Sequence, residues 1–97
     1  AKQFYTIRDY KAAIKAIDNF IGDFPGTPFR EEAMFIKFRA ASILAINSVF
    51  SKKEERLDTA VSYFDDFVRA YPESEFLDDS ISMMNDIEKE ITTFAAN

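Results

Sequence analysis

The sequence predicts an all-α fold of about four main helices, and three observations carry that prediction. Only two Gly and three Pro occur in 97 residues, too few turn formers for a sheet built of hairpins. Ala, Ile, Lys, Glu and Asp are abundant, which favours helices over strands. Apolar residues recur at spacings of 3, 4 and 7, the signature of a buried helical stripe. An apolar fraction of 47%, with eleven Phe and four Tyr, is ample for a core and argues against disorder.

The first helix carries Tyr10, Ala13, Ile14, Ile17, Phe20, Ile21 and Phe24 on one stripe. Asp9 is placed to cap its start, and Pro25 ends it, because the residue before a proline is pushed out of helical geometry. Thr27 and Pro28 then supply a cap and a first-turn proline for a second helix. No breaker interrupts the apolar residues from Phe29 to Phe50, so this helix is expected to reach about 34 Å at 1.5 Å per residue. It bears two stripes, Phe29, Ala33, Ile36, Ala40, Ile43 and Leu44 beside Phe35, Phe38, Ser42, Ala45 and Val49. Two apolar faces imply two neighbours.

Ser51 and Glu54 match a capping box, so the third helix is expected to begin near Lys52 and to turn Leu57, Ala60, Val61, Phe64, Phe67, Val68 and Tyr71 inward. Pro72 stops it. Ser74 caps a fourth helix in which Leu77, Ile81, Met84, Ile87, Ile91 and Phe94 are expected inward. Its other side is polar, with Asp78, Asp79, Ser82, Asp86, Glu90 and Thr93, as suits an element that closes a stack.

The stretches FPGTPF and YPESEF recur 47 residues apart, and the flanking residues superpose in the same register: Ala13 on Ala60, Ile17 on Phe64, Phe20 on Phe67, Phe24 on Tyr71, Thr27 on Ser74 and Phe29 on Phe76. Two unrelated amphipathic helices would share stripes but not a proline stop and a hydroxyl cap in register. The chain therefore reads as an internal repeat, one domain over residues 1–97 with units at about 10–46 and 57–95. A connection over Ser48–Arg56 and long linkers are expected to account for the period.

Ala13-x3-Ile17 with Pro25, and Ala60-x3-Phe64 with Pro72, resemble the Ala-x3-Phe and later Pro of tetratricopeptide repeats. The longer phrases YKAAIKAIDNFIGDFPGTPFREEAMF and AVSYFDDFVRAYPESEF are similar to the BamD-like (YfiO) family of outer-membrane assembly lipoproteins. A phrase of the form FYxxRxxYxAAIxxFxxxIxxYPxTxxxEEA is typical there. Phe4, Tyr5, Arg8, Tyr10, Ala12, Ala13, Ile14, Phe24, Pro25, Thr27, Glu31, Glu32 and Ala33 fit it. The Leu-Gly pair usual in the first helix of such repeats is replaced by Phe38 and, in the second unit, Asn85, and a bulky residue at Phe38 is expected to widen the helix crossing. The resemblance implies a right-handed α-solenoid of helical hairpins. It also implies a carboxy-terminal portion of a longer lipoprotein whose signal peptide and lipid anchor lie outside this chain.

Chemistry for catalysis is sparse. Absence of His and Cys removes the commonest acid-base group, thiol nucleophiles and the usual metal ligands. The pairs Glu31-Glu32, Asp65-Asp66 and Asp78-Asp79 are adjacent in sequence, so on a helix they diverge by about 100° and read as solvated carboxylates. Those near helix starts also favour the macrodipole. No glycine-rich phosphate loop occurs. The expectation is a non-enzyme with no catalytic residue, no cofactor and no metal.

Residues 1–50 carry a net charge of +2 and residues 51–97 a net −7. That balance disfavours nucleic acid as a partner, since phosphate binding needs a basic face. The acidic half is open to two readings, a solvated surface or a docking face for a basic partner. No apolar run approaches the roughly 20 residues of a membrane span. Phe20, Phe64 and Phe67 read as core, whereas Tyr5, Tyr63 and Phe35 fit the stripes less well and are candidates for a partner surface.

The function expected from the resemblance is a protein-interaction scaffold on the periplasmic face of the outer membrane. It would dock periplasmic domains of a β-barrel assembly protein through Tyr5, Arg8, Lys11, Lys15 and Arg39. A YbgF-like periplasmic adaptor of the Tol system is the runner-up, although EEAMF stands where its Trp-containing phrase would be. A generic cytosolic tetratricopeptide adaptor is the third reading.

Overall fold

The computed structural model describes residues 7–96, and side chains over residues 9–93. Four helices follow one another: α1 (Ile7–Asp23), α2 (Arg30–Ile46), α3 (Phe50–Ala70) and α4 (Leu77–Ala96). The all-α expectation holds, with α2 packed on α1, α3 and α4.

α2 takes the central place because it is apolar on two sides. Its Phe38, Ser42 and Ala45 are buried on one side, and Ala40 and Leu44 are buried toward the other. The Ser42 hydroxyl donates to the Phe38 carbonyl one turn back at 2.8 Å, which lets a polar side chain sit in the core without an unmade hydrogen bond. Phe38 is fully buried against Phe64, ring centroids 5.4 Å apart, so the bulky residue is absorbed by a ring pair. The core is completed by Ala41, Ala45, Leu57, Ala60 and Ile87, drawn from α2, α3 and α4.

Several expected boundaries move. Asp9 lies inside α1 and is not its cap. α2 ends at Ile46, well short of Phe50. Asn47 and Ser48 are the reason: the Asn47 amide donates to the Ile43 carbonyl at 2.9 Å, and the Ser48 hydroxyl donates to the Leu44 carbonyl at 2.5 Å. The Ser48 hydroxyl thereby takes a carbonyl of the last turn, while the Asn47 side chain adds a second bond to the Ile43 carbonyl, which already accepts from the Asn47 backbone N–H at 3.1 Å. The Arg56 guanidinium donates to the Ser48 hydroxyl at 2.7 Å and fastens the bend to α3.

α3 starts at Phe50 behind an extended Val49, with no side-chain cap, so the Ser51-Glu54 box does not form. The connection is only residues 47–49. The length expected in a Ser48–Arg56 linker is instead helix, the first two turns of the 21-residue α3.

α4 is also rotated from its expected face. Ser80 and Ile87 are fully buried, and Glu90 is half-buried in an ion pair with Lys53 at 3.4 Å. Ile81 and Ile91, expected inward, are exposed, and Phe94 lies outside the described side chains. Burial of Ser80 explains the rotation. Its hydroxyl donates to the Phe76 carbonyl at 2.9 Å, so it enters the core already satisfied and sets the contact line.

The two proline joints superpose bond for bond. Phe24 N–H donates to the Phe20 carbonyl at 2.9 Å, and Tyr71 N–H to the Phe67 carbonyl at 2.8 Å. Thr27 N–H reaches the Phe24 carbonyl at 3.0 Å and Ser74 N–H the Tyr71 carbonyl at 3.2 Å. The Thr27 and Ser74 hydroxyls accept from the N–H groups of Phe29 and Phe76 at 3.2 and 3.1 Å. Their carbonyls accept from Arg30 and Leu77 at 3.2 and 3.1 Å in a tight three-residue turn, after which α2 and α4 begin. Thus Thr27 and Ser74 cap a tight turn ahead of the α-helix, and Pro28 sits in that turn, not in the helix.

Candidate protein-docking surface

Helical periodicity sorts the exposed residues of α1 and α2 into separate faces. On α1, Ile14, Ile17 and Ile21 are half-buried on the side toward α2. Lys11, Lys15 and Asp18 follow one another at i, i+4 and i+7, so they share one flank of that side. Asp18 marks where that flank lies: its carboxylate accepts from the Lys37 ammonium of α2 at 2.9 Å. Lys37 also lies 4.3 Å from the ring centroid of Tyr63 on α3, so one cation ties three helices.

The opposite flank is different in kind. Tyr10 and Ala13 of α1 meet Ile36, Arg39, Ala40 and Ile43 of α2 around an open groove of about 320 Å³. Ile36 is 44% exposed although it was expected in the core. Arg39 is exposed at the rim, and Glu32 is exposed about two turns before it. The groove offers an apolar floor with a guanidinium above it, which suits a partner that presents an apolar side chain beside a carboxylate or a backbone carbonyl.

Of the five expected docking residues, the three whose side chains are described lie on two separate flanks. Lys11 and Lys15 are exposed on the Asp18 flank, and Arg39 is exposed across α1 from them at the groove. None of the three is in an ion pair among the described residues. Tyr5, and the side chain of Arg8, lie outside the described residues.

Two aromatic candidates are corrected. Phe35 is half-buried and stacked on Phe76, and Tyr63 is half-buried against the core under Lys37. Both serve helix packing. Conversely, Phe20 and Phe24, expected inward, are 37% and 60% exposed. Stripe spacing cannot separate a ring that meets a neighbour from one that has none.

Tyr10 and Ile36 were missed as groove residues because an apolar residue on a helical stripe reads as core. The available signal was Ile36, Arg39 and Ile43 at i, i+3 and i+7, an apolar stripe broken by a cation. Glu31 was also misread as solvated: it accepts from the Ser74 hydroxyl across the second joint. Among the described residues no group of three or more acidic side chains converges as a metal site, and no helix is long and apolar enough to cross a membrane.

Comparison with known proteins matches the sequence to a family. A family model described as an outer membrane lipoprotein, YfiO, matches residues 1–95. No curated protein and no solved structure matches the chain. With its helices, paired joints and near full-length match together, the chain belongs to the BamD-like YfiO family of outer membrane lipoproteins.

Proposed function

We propose that the chain is a protein-interaction scaffold of the machinery that assembles β-barrel proteins into the outer membrane, working at the periplasmic face without catalysis. The family match over residues 1–95 carries this reading. Equivalent joints at Thr27 and Ser74 support a single domain built of two tetratricopeptide-like units, at about 10–46 and 57–95. Its partner is the periplasmic portion of a β-barrel assembly protein.

Docking uses the exposed cations of α1 and α2. Arg39 at the groove anchors the contact, Lys11 and Lys15 extend it across to the other flank of α1, and Tyr5 and Arg8 are proposed to join it. Exposed cations of this kind act through steering and complementarity more than through buried energy. The test is a pull-down with purified periplasmic domains of the barrel assembly protein. Arg39→Glu combined with Lys15→Glu should weaken capture at least about tenfold, a loss of about 1.4 kcal/mol. The helical melt should be unchanged, because both side chains are exposed. Undiminished capture by the double variant removes this surface from the interface.

A further inference from the structure

A cleft of about 390 Å³ lies between the carboxy-terminal ends of α1 and α3, with α2 as its floor. Arg30, Met34 and Lys37 of α2 line it at i, i+4 and i+7, so they share one helix face. Met34, between the two cations in that stripe, is buried. Ile21 borders the α1 side, and Asp66, Arg69 and Ala70 border the α3 side. The volume is that of a ligand pocket, and a lining of three cations and one carboxylate is net positive in a chain of net charge −5.

These charges do not neutralise one another. Lys37 is committed to Asp18 at 2.9 Å and to the Tyr63 ring, neither of which lines the cleft. Arg30 donates through one nitrogen to the Tyr71 hydroxyl at 3.2 Å and lies over that ring at 5.9 Å. Its other guanidinium nitrogens have no acceptor among the described residues. Arg69 and Asp66 are exposed and stand three residues apart on α3, a spacing at which opposite charges commonly pair. Yet neither is in an ion pair among the described residues.

Two guanidinium forks from different helices favour one kind of anion. A carboxylate has two oxygens in one plane and suits a single fork, whereas the tetrahedral oxygens of a phosphate can accept from two directions. Ile21, Met34 and Ala70 add apolar surface for carbon attached to that phosphate. Asp66 repels a second negative charge, which disfavours a dianion.

We propose that this cleft binds a phosphodiester. Its single negative charge is held by Arg30 and Arg69, and its ester carbons rest on Met34, Ile21 and Ala70. A phospholipid headgroup and a free soluble diester present the same chemistry. The cleft shares no lining residue with the Arg39 groove and does not rest on docking to a barrel assembly protein.

The probe is dibutyl phosphate, a singly charged diester with two apolar arms. It is titrated into the isotope-labelled 97-residue protein while amide NMR shifts are followed. Saturable shifts are expected at residues 21, 30–37 and 66–70, with inorganic phosphate binding several-fold more weakly. Arg69→Gln should weaken diester binding about tenfold, the scale of a charge-assisted contact, and Arg69→Lys, which keeps the charge but not the fork, about threefold. Arg69 is exposed, so both variants leave the fold intact. Asp66→Asn should narrow the gap between the diester and inorganic phosphate. Flotation with vesicles of equal parts phosphatidylethanolamine and phosphatidylglycerol separates the two sources. Flotation that Arg69→Gln abolishes assigns a lipid headgroup, and diester binding without flotation assigns a soluble ligand. Shifts that do not saturate, binding unaltered by Arg69→Gln, or inorganic phosphate bound as tightly as dibutyl phosphate overturns the proposal.

Discussion

Phe35 of α2 lies flat on Phe76, the rings 4.9 Å apart and 13° from parallel. The stack spans 41 residues of sequence and clamps α2 over the hinge that leads into α4. Phe67 beneath it makes a three-ring cluster, and the stability of the carboxy-terminal half turns on that cluster.

Phe67 and Phe20 occupy the same repeat position in opposite surroundings, which makes them a matched pair. Phe67→Ala leaves a cavity and should cost about 3 to 5 kcal/mol. Phe20→Ala is expected to cost about 1 kcal/mol or less, as its ring already meets solvent. Since about 1 kcal/mol moves the midpoint by roughly 4 to 8 °C in a domain of this size, thermal melts followed by circular dichroism separate the two. Equal shifts would contradict the buried assignment of Phe67.

Ala60 and Ala13 form a second pair. Ala60 is fully buried against the α2 alanines, and Ala60→Leu should destabilise by about 1 to 3 kcal/mol through overpacking. Ala13 borders the open groove, so Ala13→Leu should be close to neutral. Urea midpoints at unchanged slope give the measurement.

Glu31 and Ser74 are coupled across the second joint. A double-mutant cycle of Glu31→Ala and Ser74→Ala should return a coupling of about 1 to 2 kcal/mol, in the range for a hydrogen bond to a charged, part-buried group. Ser74→Ala alone is expected to cost more than the coupling, because it also strips the acceptor from the Phe76 N–H. Additive single variants would show that the contact carries no energy.

Lys37 links Asp18 on α1 to Tyr63 on α3. Lys37→Met keeps the apolar stem and removes the charge, with an expected loss of about 0.5 to 1 kcal/mol concentrated in α1. Hydrogen exchange should quicken in α1 and stay unchanged in α4. Uniform acceleration would mean that α1 opens only with the whole fold.

Four helices, their order, the proline stops at Pro25 and Pro72 and the inward stripe of α3 were legible from sequence, because each depends on neighbours within a few residues. The same local reasoning failed where two local signals competed. Ser51-Glu54 looks like a helix start, but Asn47 and Ser48 bend the chain earlier by taking α2 carbonyls with their side chains. For the docking surface, the cations Lys11, Lys15 and Arg39 could be named but not arranged: the Asp18–Lys37 contact shows which flank of α1 the two lysines share, and the groove between Tyr10 and Ile36 places Arg39 on the other.

By itself the sequence determined an all-helical repeat with two equivalent joints, since proline geometry, hydroxyl capping and a 3.6-residue period act over a single turn. Tertiary structure alone decided which joint is closed. Phe20 and Phe67, Phe24 and Tyr71, and Phe29 and Phe76 are near-equivalent in sequence, and burial separates them because α2 covers one set and none of the described helices covers the other. Burial is a property of the pair in contact, so no residue's own side chain encodes it.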